Sequence, residues 1–318
     1  MNRRTFLGSA VAAAAATTVC GQAENGPPEW PGPVIDTHHH LRQDIDANVA
    51  HINGCGVGKA VLLTPVQQVA RAKEVMAKYP GRFWLSVSAD VTKPDAEQLL
   101  TAAVKDGAIG IGELKYHVAA DGPELRRMYA LAGELHVPIM VHFQEVPHYQ
   151  GEGTYATGWK RFEAILKEFR QTTFIAHADA VWANVSTDYK DDVAYPTGPI
   201  KMTGITDQWM ADYANLFGDL SANSANNALS RSPEFTSGFL ATHQDKLLFG
   251  SDCSCVDGTG KGNPPPNDPA RATPNGVGAR LSGKCVARDT LGIIQRSARP
   301  AVFRKIAGEN AVKVLKLG

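Results

Sequence analysis

The chain has 318 residues, 43% of them hydrophobic, which is enough for one large α/β domain or two small ones. Its 32 Lys and Arg residues balance 32 Asp and Glu residues, so the formal net charge is zero. This composition excludes a disordered chain, and the absence of a block of like charges argues against a nucleic-acid partner.

Residues 1–23 predict an export signal. Arg3 and Arg4 precede a short alanine-rich stretch, and small residues stand near a cleavage point after Ala23. This order is typical of a bacterial twin-arginine signal, which predicts the twin-arginine export machinery as a partner and a periplasmic or secreted protein. A Sec-type signal or a retained anchor is the alternative. The apolar stretch is shorter than the roughly 20 residues that span a bilayer, so no stable membrane span is expected in the mature protein.

After a Pro-rich linker at residues 24–33, residues 34–318 alternate strand-like apolar runs with amphipathic helical patterns up to the closing helix predicted in the tail. The predicted strands are 34–37, 59–63, 83–87, 109–114, 139–142, 173–177, 216–221 and 247–251. Helical patterns between them include 66–79, 95–107, 124–136, 158–170 and 232–244. The alternation predicts an α/β fold, and eight strands indicate a (β/α)8 TIM-like barrel. A doubly wound open sheet is the alternative, but residues 34–44 lack its Gly-rich phosphate turn.

Three predicted loops are longer than usual, at residues 144–158, 178–204 and 253–285. All three follow strands, so they should emerge at the end of the barrel where chemistry takes place. Cys253, Cys255 and Cys285 flank the last loop. A Cys255–Cys285 disulfide would contribute about 3 to 4 kcal/mol, and free buried thiols are equally compatible with the sequence. Cys-x-Cys with one distant cysteine lacks the paired spacing usual for zinc.

Potential metal ligands stand at the ends of five predicted strands. In DTHHH, the two-residue strand period places Asp36, His38 and His40 on one face and His39 on the other. His142, His177 and Asp252 end later strands, where an unpaired polar side chain would be costly to bury. Together they predict a metal site with the following members: His38, His40, Glu113, His142, His177 and Asp252. Imidazole and carboxylate donors suit zinc, with manganese or iron as alternatives.

The fourth strand leaves the number of metal ions open between one and two. In GIGELKYH, Glu113, Lys115 and His117 are two residues apart and so lie on the same face of the strand. Any of them can therefore face the barrel mouth. Glu113 is the favoured member because its carboxylate can bridge a second cation. Lys115 can do so only if carbamylated, and a local Glu113–Lys115 ion pair is the alternative.

The ordered pattern resembles the amidohydrolase superfamily, in particular its amidohydrolase-related (amidohydrolase 2) family, from VIDTHHH to GENAVKVLKL. The resemblance implies that His38, His40, His142 and Asp252 bind metal. It implies His177 as a further ligand or as the group that polarises the substrate, and Glu113 as an optional bridge. The glutamate in GIGELKYH is closer to the metal-dependent deoxyribonuclease relatives, and the long insertions after strands six and eight depart from a short core member.

The favoured function is metal-dependent hydrolysis of an ester, lactone or amide bond in a small molecule. Asp252 would accept a proton from water and pass it to the leaving group, while His177 helps to stabilise the developing oxyanion. An exported binding protein without turnover is a third hypothesis, and the complete ligand set argues against it.

Nonoxidative decarboxylation of a small carboxylic acid is the alternative within the same family. It would need a cationic clamp for the carboxylate and aromatic walls. The side chains available for these roles are Trp159, Lys160, Trp182 and Tyr189.

Overall fold

The computed structural model describes residues 29–148, 151–201, 203–262 and 277–318. The predicted export signal, the first part of the linker and the middle of the last long loop lie outside the described residues. Within the described part of the chain, no helix is long and apolar enough to cross a membrane.

Eight parallel strands form one sheet in the order of the sequence, which confirms the predicted (β/α)8 barrel. The strands are β1 Ile35–His40, β2 Lys59–Pro65, β3 Phe83–Ser88, β4 Gly110–Leu114, β5 Ile139–His142, β6 Phe174–His177, β7 Leu216–Leu220 and β8 Leu247–Phe249. Five of the eight predicted strand starts coincide with the observed ones, and the other three differ from them by one residue. This agreement reflects the long buried runs of Val, Ile, Leu and Phe.

Helices and short helical turns cover the sheet. The α-helices are α1 Ile45–Gly54, α2 Val69–Lys78, α3 Ala96–Lys105, α4 Pro123–Glu134, α5 Glu163–Glu168, α6 Asp179–Ala183, α7 Ile205–Asp212, α8 Ala222–Arg231, α9 Pro233–Thr242, α10 Val277–Leu281, α11 Val286–Ser297, α12 Pro300–Arg304 and α13 Asn310–Val314. Short 3-10 turns lie at Val66–Gln68 and Trp159–Arg161, and a π-helical turn at Lys305–Glu309 joins α12 to α13. The predicted closing helix is therefore present, interrupted by this turn.

The predicted ends of the first, second and last strands were wrong by two or three residues; β2 ends at Pro65 instead of Leu63. β1 continues through His40 instead of ending at Thr37, and β8 ends at Phe249 instead of Ser251. The differences in β1 and β8 lie where these strands meet at the barrel seam. There the Thr37 hydroxyl donates to the Phe249 carbonyl at 3.0 Å, and the Asp252 amide donates to the His38 carbonyl at 2.8 Å. The backbone after β8 thus leaves the regular ladder and turns toward the end of β1.

The barrel wall is packed with aromatic side chains on its β5–β6 side. Tyr129 of α4 contacts Phe162 and Phe174 edge-on, with ring centroids 5.9 and 5.1 Å apart. Phe143 and Trp159 extend this packing, and both are fully buried. Such edge-to-face contacts add to the burial of apolar surface and hold β5 and β6 against their helices. The ends of these two strands, which carry His142 and His177, are therefore rigidly placed.

Candidate metal centre

The six predicted ligands converge at the carboxyl end of the barrel. The potential ligands there form three overlapping groups of three residues. Within each group, one potential ligand atom from each residue lies within 4.8 Å of those of the other two. The groups are His38, His40 and Glu113; Glu113, His142 and His177; and His38, His177 and Asp219. Asp252 joins them, with its carboxylate 3.4 Å from His40 Nε2 and 3.7 Å from His177 Nε2. Residues from β1, β4, β5, β6 and the segment after β8 thus meet around one point.

Asp219 of β7 orients two of these histidines and was missed from the sequence. Its Oδ2 atom accepts from His38 Nδ1 at 2.7 Å and lies 3.0 Å from His177 Nδ1. The Ser221 hydroxyl donates to the same oxygen at 2.6 Å and lies 2.9 Å from His177 Nδ1. With Nδ1 of both rings directed at Asp219, the Nε2 atoms of His38 and His177 face the centre.

Glu113 occupies the middle of the site. One of its oxygens lies 2.5 Å from His142 Nδ1 and 3.5 Å from His177 Nε2, and the other lies 3.3 Å from His40 Nε2. Gly112 makes this position accessible: its φ is +126°, and a Cβ there would lie 2.6 Å from the Met140 carbonyl oxygen. The pairing of β4 with β5 shifts register between Ile111 and Leu114. The regular alternation of side chains between the two faces of the strand is therefore interrupted beside Glu113.

His142 is oriented by a second residue that the sequence did not indicate. Its Nε2 lies 2.8 Å from Gln144 Oε1. The Gln144 amide nitrogen donates to the Val146 carbonyl and to Glu152, which fixes the amide oxygen toward His142. His142 Nε2 is therefore directed at Gln144, so Nδ1 is the ring nitrogen that faces Glu113 and the centre.

His40 and Asp252 form the open side of the site. Their side chains are 52% and 29% exposed, whereas those of His38 and His177 are buried. Asp252 has a φ of +39°, which turns its carboxylate back toward the histidines. The neighbouring Gly250 permits this approach, because a Cβ there would lie 2.4 Å from Asp219 Oδ1 and 2.7 Å from His38 Cβ.

Burial and charge oppose each other at this site. Burial alone would disfavour a charged His38, but the carboxylates of Asp252 and Asp219 outweigh it and hold the pKa of His38 well above its usual range. Burial likewise opposes the charge on Glu113, yet His142 and His38 hold the pKa of that carboxyl well below its usual range. The carboxylates are thus ionised at neutral pH, and their negative charge favours a cation in their midst.

His177 differs from His38 in its electrostatics. Burial, followed by the charge of His38, lowers the pKa of His177. The pKa of Asp252 is also lowered, because His38, His40 and His177 outweigh its burial. At neutral pH the site therefore pairs a neutral His177 with an ionised Asp252.

A cavity of about 240 Å³ opens beside these residues. It is lined by His142, His177 and Asp252, and by polar side chains on its outer wall: Lys115, His148, Asp179, Tyr195, Asn223, Ser224 and Ser254. The loops predicted to contact substrate, 144–158 and 178–204, supply His148, Asp179 and Tyr195. His148 Nε2 and Asp179 Oδ1 are 2.8 Å apart, so the two loops are joined at the cavity wall.

Lys115 and His117 lie away from the centre. Lys115 is exposed, lines the cavity and has its Nζ 5.7 Å from the centre of the Tyr155 ring. His117 stacks on Tyr155 and contacts the Thr154 carbonyl, so neither residue shares the position of Glu113. The Glu113–Lys115 ion pair considered from the sequence is not among the described ion pairs, because Glu113 faces the histidines instead.

The aromatic and cationic residues considered for a carboxylate clamp are also placed elsewhere. Trp159 and Trp182 are buried in the core, where they donate to Thr206 and to the Asp219 carbonyl. Lys160 pairs with Asp191 at 2.7 Å. None of these lines the described cavity, and Lys115 carries the positive charge of its wall. His39, as predicted, faces away from the centre and packs against His51 and Phe83.

Several solved structures of enzymes share this fold. One is a "probable 2-pyrone-4,6-dicarboxylic acid hydrolase" of Acinetobacter baumannii, at a TM-score of 0.55 and 10% identity over 90% of this chain and 100% of that chain. Another is a dihydroorotase of Campylobacter jejuni, at 0.53 and 13%, covering 90% and 84%. A third is a dihydroxybenzoic acid decarboxylase of Polaromonas sp. JS666 with bound manganese, at 0.51 and 14%, covering 90% and 97%.

No protein-family model matches the sequence, and a search of curated proteins finds no match. At these identities the solved structures establish the barrel fold of the chain. The resemblance to amidohydrolases is therefore confirmed at the level of the fold. The site of this chain is defined by its own geometry: four histidines and two carboxylates at a barrel mouth, two of the histidines being fixed by a third carboxylate.

Proposed function

We propose that the protein is a divalent-metal-dependent hydrolase of the amidohydrolase type that cleaves an ester, lactone or amide bond in a small molecule. The observation that carries the proposal is the shared hydrogen bonding of His38 and His177 to Asp219, which leaves both Nε2 atoms facing Glu113 and Asp252. A histidine that only packs in the core would not need a shared carboxylate to orient its ring toward an open cavity.

The residues fit a divalent cation. His38, His40 and His177 would supply Nε2 donors, and Glu113 and Asp252 would supply carboxylate oxygens, a set that suits zinc, manganese or iron. His142 would add its Nδ1 atom, and Glu113 lies where it can contact one ion or bridge two. We favour zinc as the metal. When bound, the cation would act as a Lewis acid and lower the pKa of water from 15.7 to about 7.

Asp252 is positioned to move the proton. Its carboxylate is ionised, partly exposed and turned toward the cavity, so it can accept a proton from the attacking water and return it to the leaving group. His177 lies on the same wall, where its ring can ligate the cation or polarise the substrate carbonyl. Asp219 and Ser221 hold that ring in one orientation.

The cavity wall suggests the substrate class. Lys115 places a positive charge at the rim, and Tyr195 and Ser254 bring polar groups to the same space. We infer a small substrate with a carboxylate near the bond that is cleaved. The same Lys115 supports a second candidate, nonoxidative decarboxylation of a small carboxylic acid, because a cation at the rim would also hold a carboxylate that is to be lost.

We further propose that the protein is exported and works in the periplasm or outside the cell. Arg3, Arg4 and the short apolar stretch that follows support recognition by the twin-arginine machinery. This route carries folded proteins, which suits a protein that acquires its metal before export.

Turnover in isotopically labelled water distinguishes the two reactions. The metal-loaded protein is offered a panel of carboxylated lactones, esters and amides, and in parallel a panel of hydroxylated aromatic acids. We expect acid release from the first panel, with the label in the new carboxyl group, and no carbon dioxide from the second. Carbon dioxide without hydrolysis would instead support the decarboxylase, and no turnover with bound panel members would support a binding protein.

A further inference from the structure

A second group of potential metal ligands lies beside the candidate centre and shares none of its residues. It consists of His51, Cys253, Cys255 and Cys285, and one ligand atom from each lies within 4.8 Å of all the others. We propose that these four side chains bind a structural zinc ion in a Cys3His site. The proposal rests on these residues alone and does not depend on the proposed hydrolase function.

The distances suit tetrahedral zinc. Cys285 Sγ lies 3.8 Å from Cys253 Sγ and 3.9 Å from His51 Nε2. With Zn–S bonds of about 2.3 Å, two sulfur ligands of a tetrahedral ion are about 3.8 Å apart. Cys253 Sγ and Cys255 Sγ are closer, at 3.2 Å, so the ion would need to open only this pair slightly.

The four ligands come from three segments that are remote in sequence. His51 lies in α1, Cys253 and Cys255 follow β8, and Cys285 immediately precedes α11. His51, Cys255 and Cys285 are fully or almost fully buried, and all three cysteines are free thiols. Thiols are weak hydrogen-bond donors and acceptors, so their mutual contacts satisfy them poorly. A divalent ion would satisfy three thiolates and the imidazole together.

Unpartnered polar atoms next to His51 point to a ligand independently. His51 Nδ1 is buried without a hydrogen-bond partner, as is His39 Nε2, while Asp36 Oδ2 and His39 Nδ1 lie 3.6 Å apart, beyond hydrogen-bond distance. Potential ligand atoms of Asp36, His39 and His51 lie within 4.8 Å of one another. Zinc on Nε2 would fix the proton of His51 on Nδ1, beside this carboxylate and imidazole. Ligating histidines usually donate their second N–H to such a partner.

The charge of the site can also be offset. Three thiolates and one zinc ion carry a net charge of −1. The Arg42 guanidinium donates from Nη2 to the Cys253 carbonyl at 2.8 Å, and its Nε is buried without a partner. A cation is therefore held beside the proposed ion.

The position of the site suggests its role. Cys253 directly follows Asp252, whose φ is +39°. Zinc would tie the segment after β8 to α1 and to the start of α11, and so would fix the backbone that presents Asp252. Closing these remote segments through metal bonds stabilises the folded state, since a preformed site does not exist in the unfolded chain.

Cobalt replacement tests the site without interference from the candidate centre. The full chain is purified under reducing conditions, stripped of metal and loaded with Co²⁺. The centre at the barrel mouth has only nitrogen and oxygen donors, so a thiolate-to-cobalt charge-transfer band in the near ultraviolet reports on the cysteine site alone. We expect this band, and we expect X-ray absorption of the zinc-loaded chain to show a sulfur shell at about 2.3 Å.

Two variants locate the ligands. Cys285→Ser should lose most of the band. Cys55→Ser should keep it, because Cys55 is equally buried and its thiol contacts that of Cys285, but it contributes no ligand atom to the group. Absence of both the band and the sulfur shell in the unsubstituted chain would overturn the proposal, even if Cys285→Ser does not fold. Loss of the band in Cys55→Ser with its retention in Cys285→Ser would overturn it as well. A chain with these signals but no turnover would refute the hydrolase and leave the zinc site standing.

Discussion

Asp252→Asn is expected to lower kcat by about 10²- to 10⁴-fold, the range that a positioned general acid or base contributes. The amide cannot accept the proton from water, although its size and backbone are nearly unchanged. The rate is measured at saturating metal and substrate, so that weaker binding of either does not account for the loss.

Asp257→Asn is the matched control for this variant. Asp257 lies five positions further along the same segment and accepts from the Thr259 and Lys261 amides, a role that asparagine can retain. We expect its kcat to equal that of the unsubstituted protein. Full activity of Asp252→Asn would refute the assigned proton transfer.

Asp219→Asn is expected to weaken divalent-metal binding by about 10- to 100-fold, the usual cost of removing a carboxylate that orients metal ligands. A single oxygen of Asp219 lies within 3.0 Å of His38 Nδ1, His177 Nδ1 and Ser221 Oγ. The asparagine oxygen can still accept at this position, but the amide is neutral, so the charge-assisted part of these hydrogen bonds to the imidazole N–H groups is lost. Affinity is measured by competition with a chelator.

Asp207→Asn is the control for this variant. Asp207 is also a carboxylate paired with a buried histidine, but at a different place in the structure. Asp207 contacts His243 Nε2 at 2.6 Å, and His243 is buried. This substitution should leave metal affinity unchanged. Equal affinities in the two variants would show that Asp219 does not position the ligands.

The barrel could be predicted because its strands are long apolar runs, and the runs themselves define which residues stand at strand ends. His142 and His177 each end their strands where the sequence places them. Parallel strands bring such ends to one rim of a barrel, so their convergence follows from the topology. The role of each residue in metal binding remains a proposal.

Asp219 and Gln144 were missed for a physical reason. Asp219 lies inside a short strand as one polar residue with no motif around it, and only the packing of β7 between β6 and β8 directs it at two histidines. A signal was present nonetheless: Asp219 and Ser221 share one strand parity, and so do His142 and Gln144. Polar residues repeated on the inward face of a buried strand indicate a site.

The cysteine group could not be predicted from spacing. Zinc motifs are recognised by ligands close together in sequence, whereas His51 reaches the cysteines only because α1 packs beside the segment after β8. The rotation of that helix about its axis depends on tertiary contacts. The free thiols agree with one of the two alternatives considered from the sequence, and the Cys255–Cys285 disulfide is not formed.

The central proposal is that the residues at the barrel mouth hold a divalent cation. Anomalous diffraction from crystals of the full chain grown with Mn²⁺ tests it most directly. We predict an anomalous peak at coordination distance from the Nε2 atoms of His38 and His40 and from the carboxylate of Asp252. A metal-saturated crystal without a peak among these residues would contradict the proposed centre.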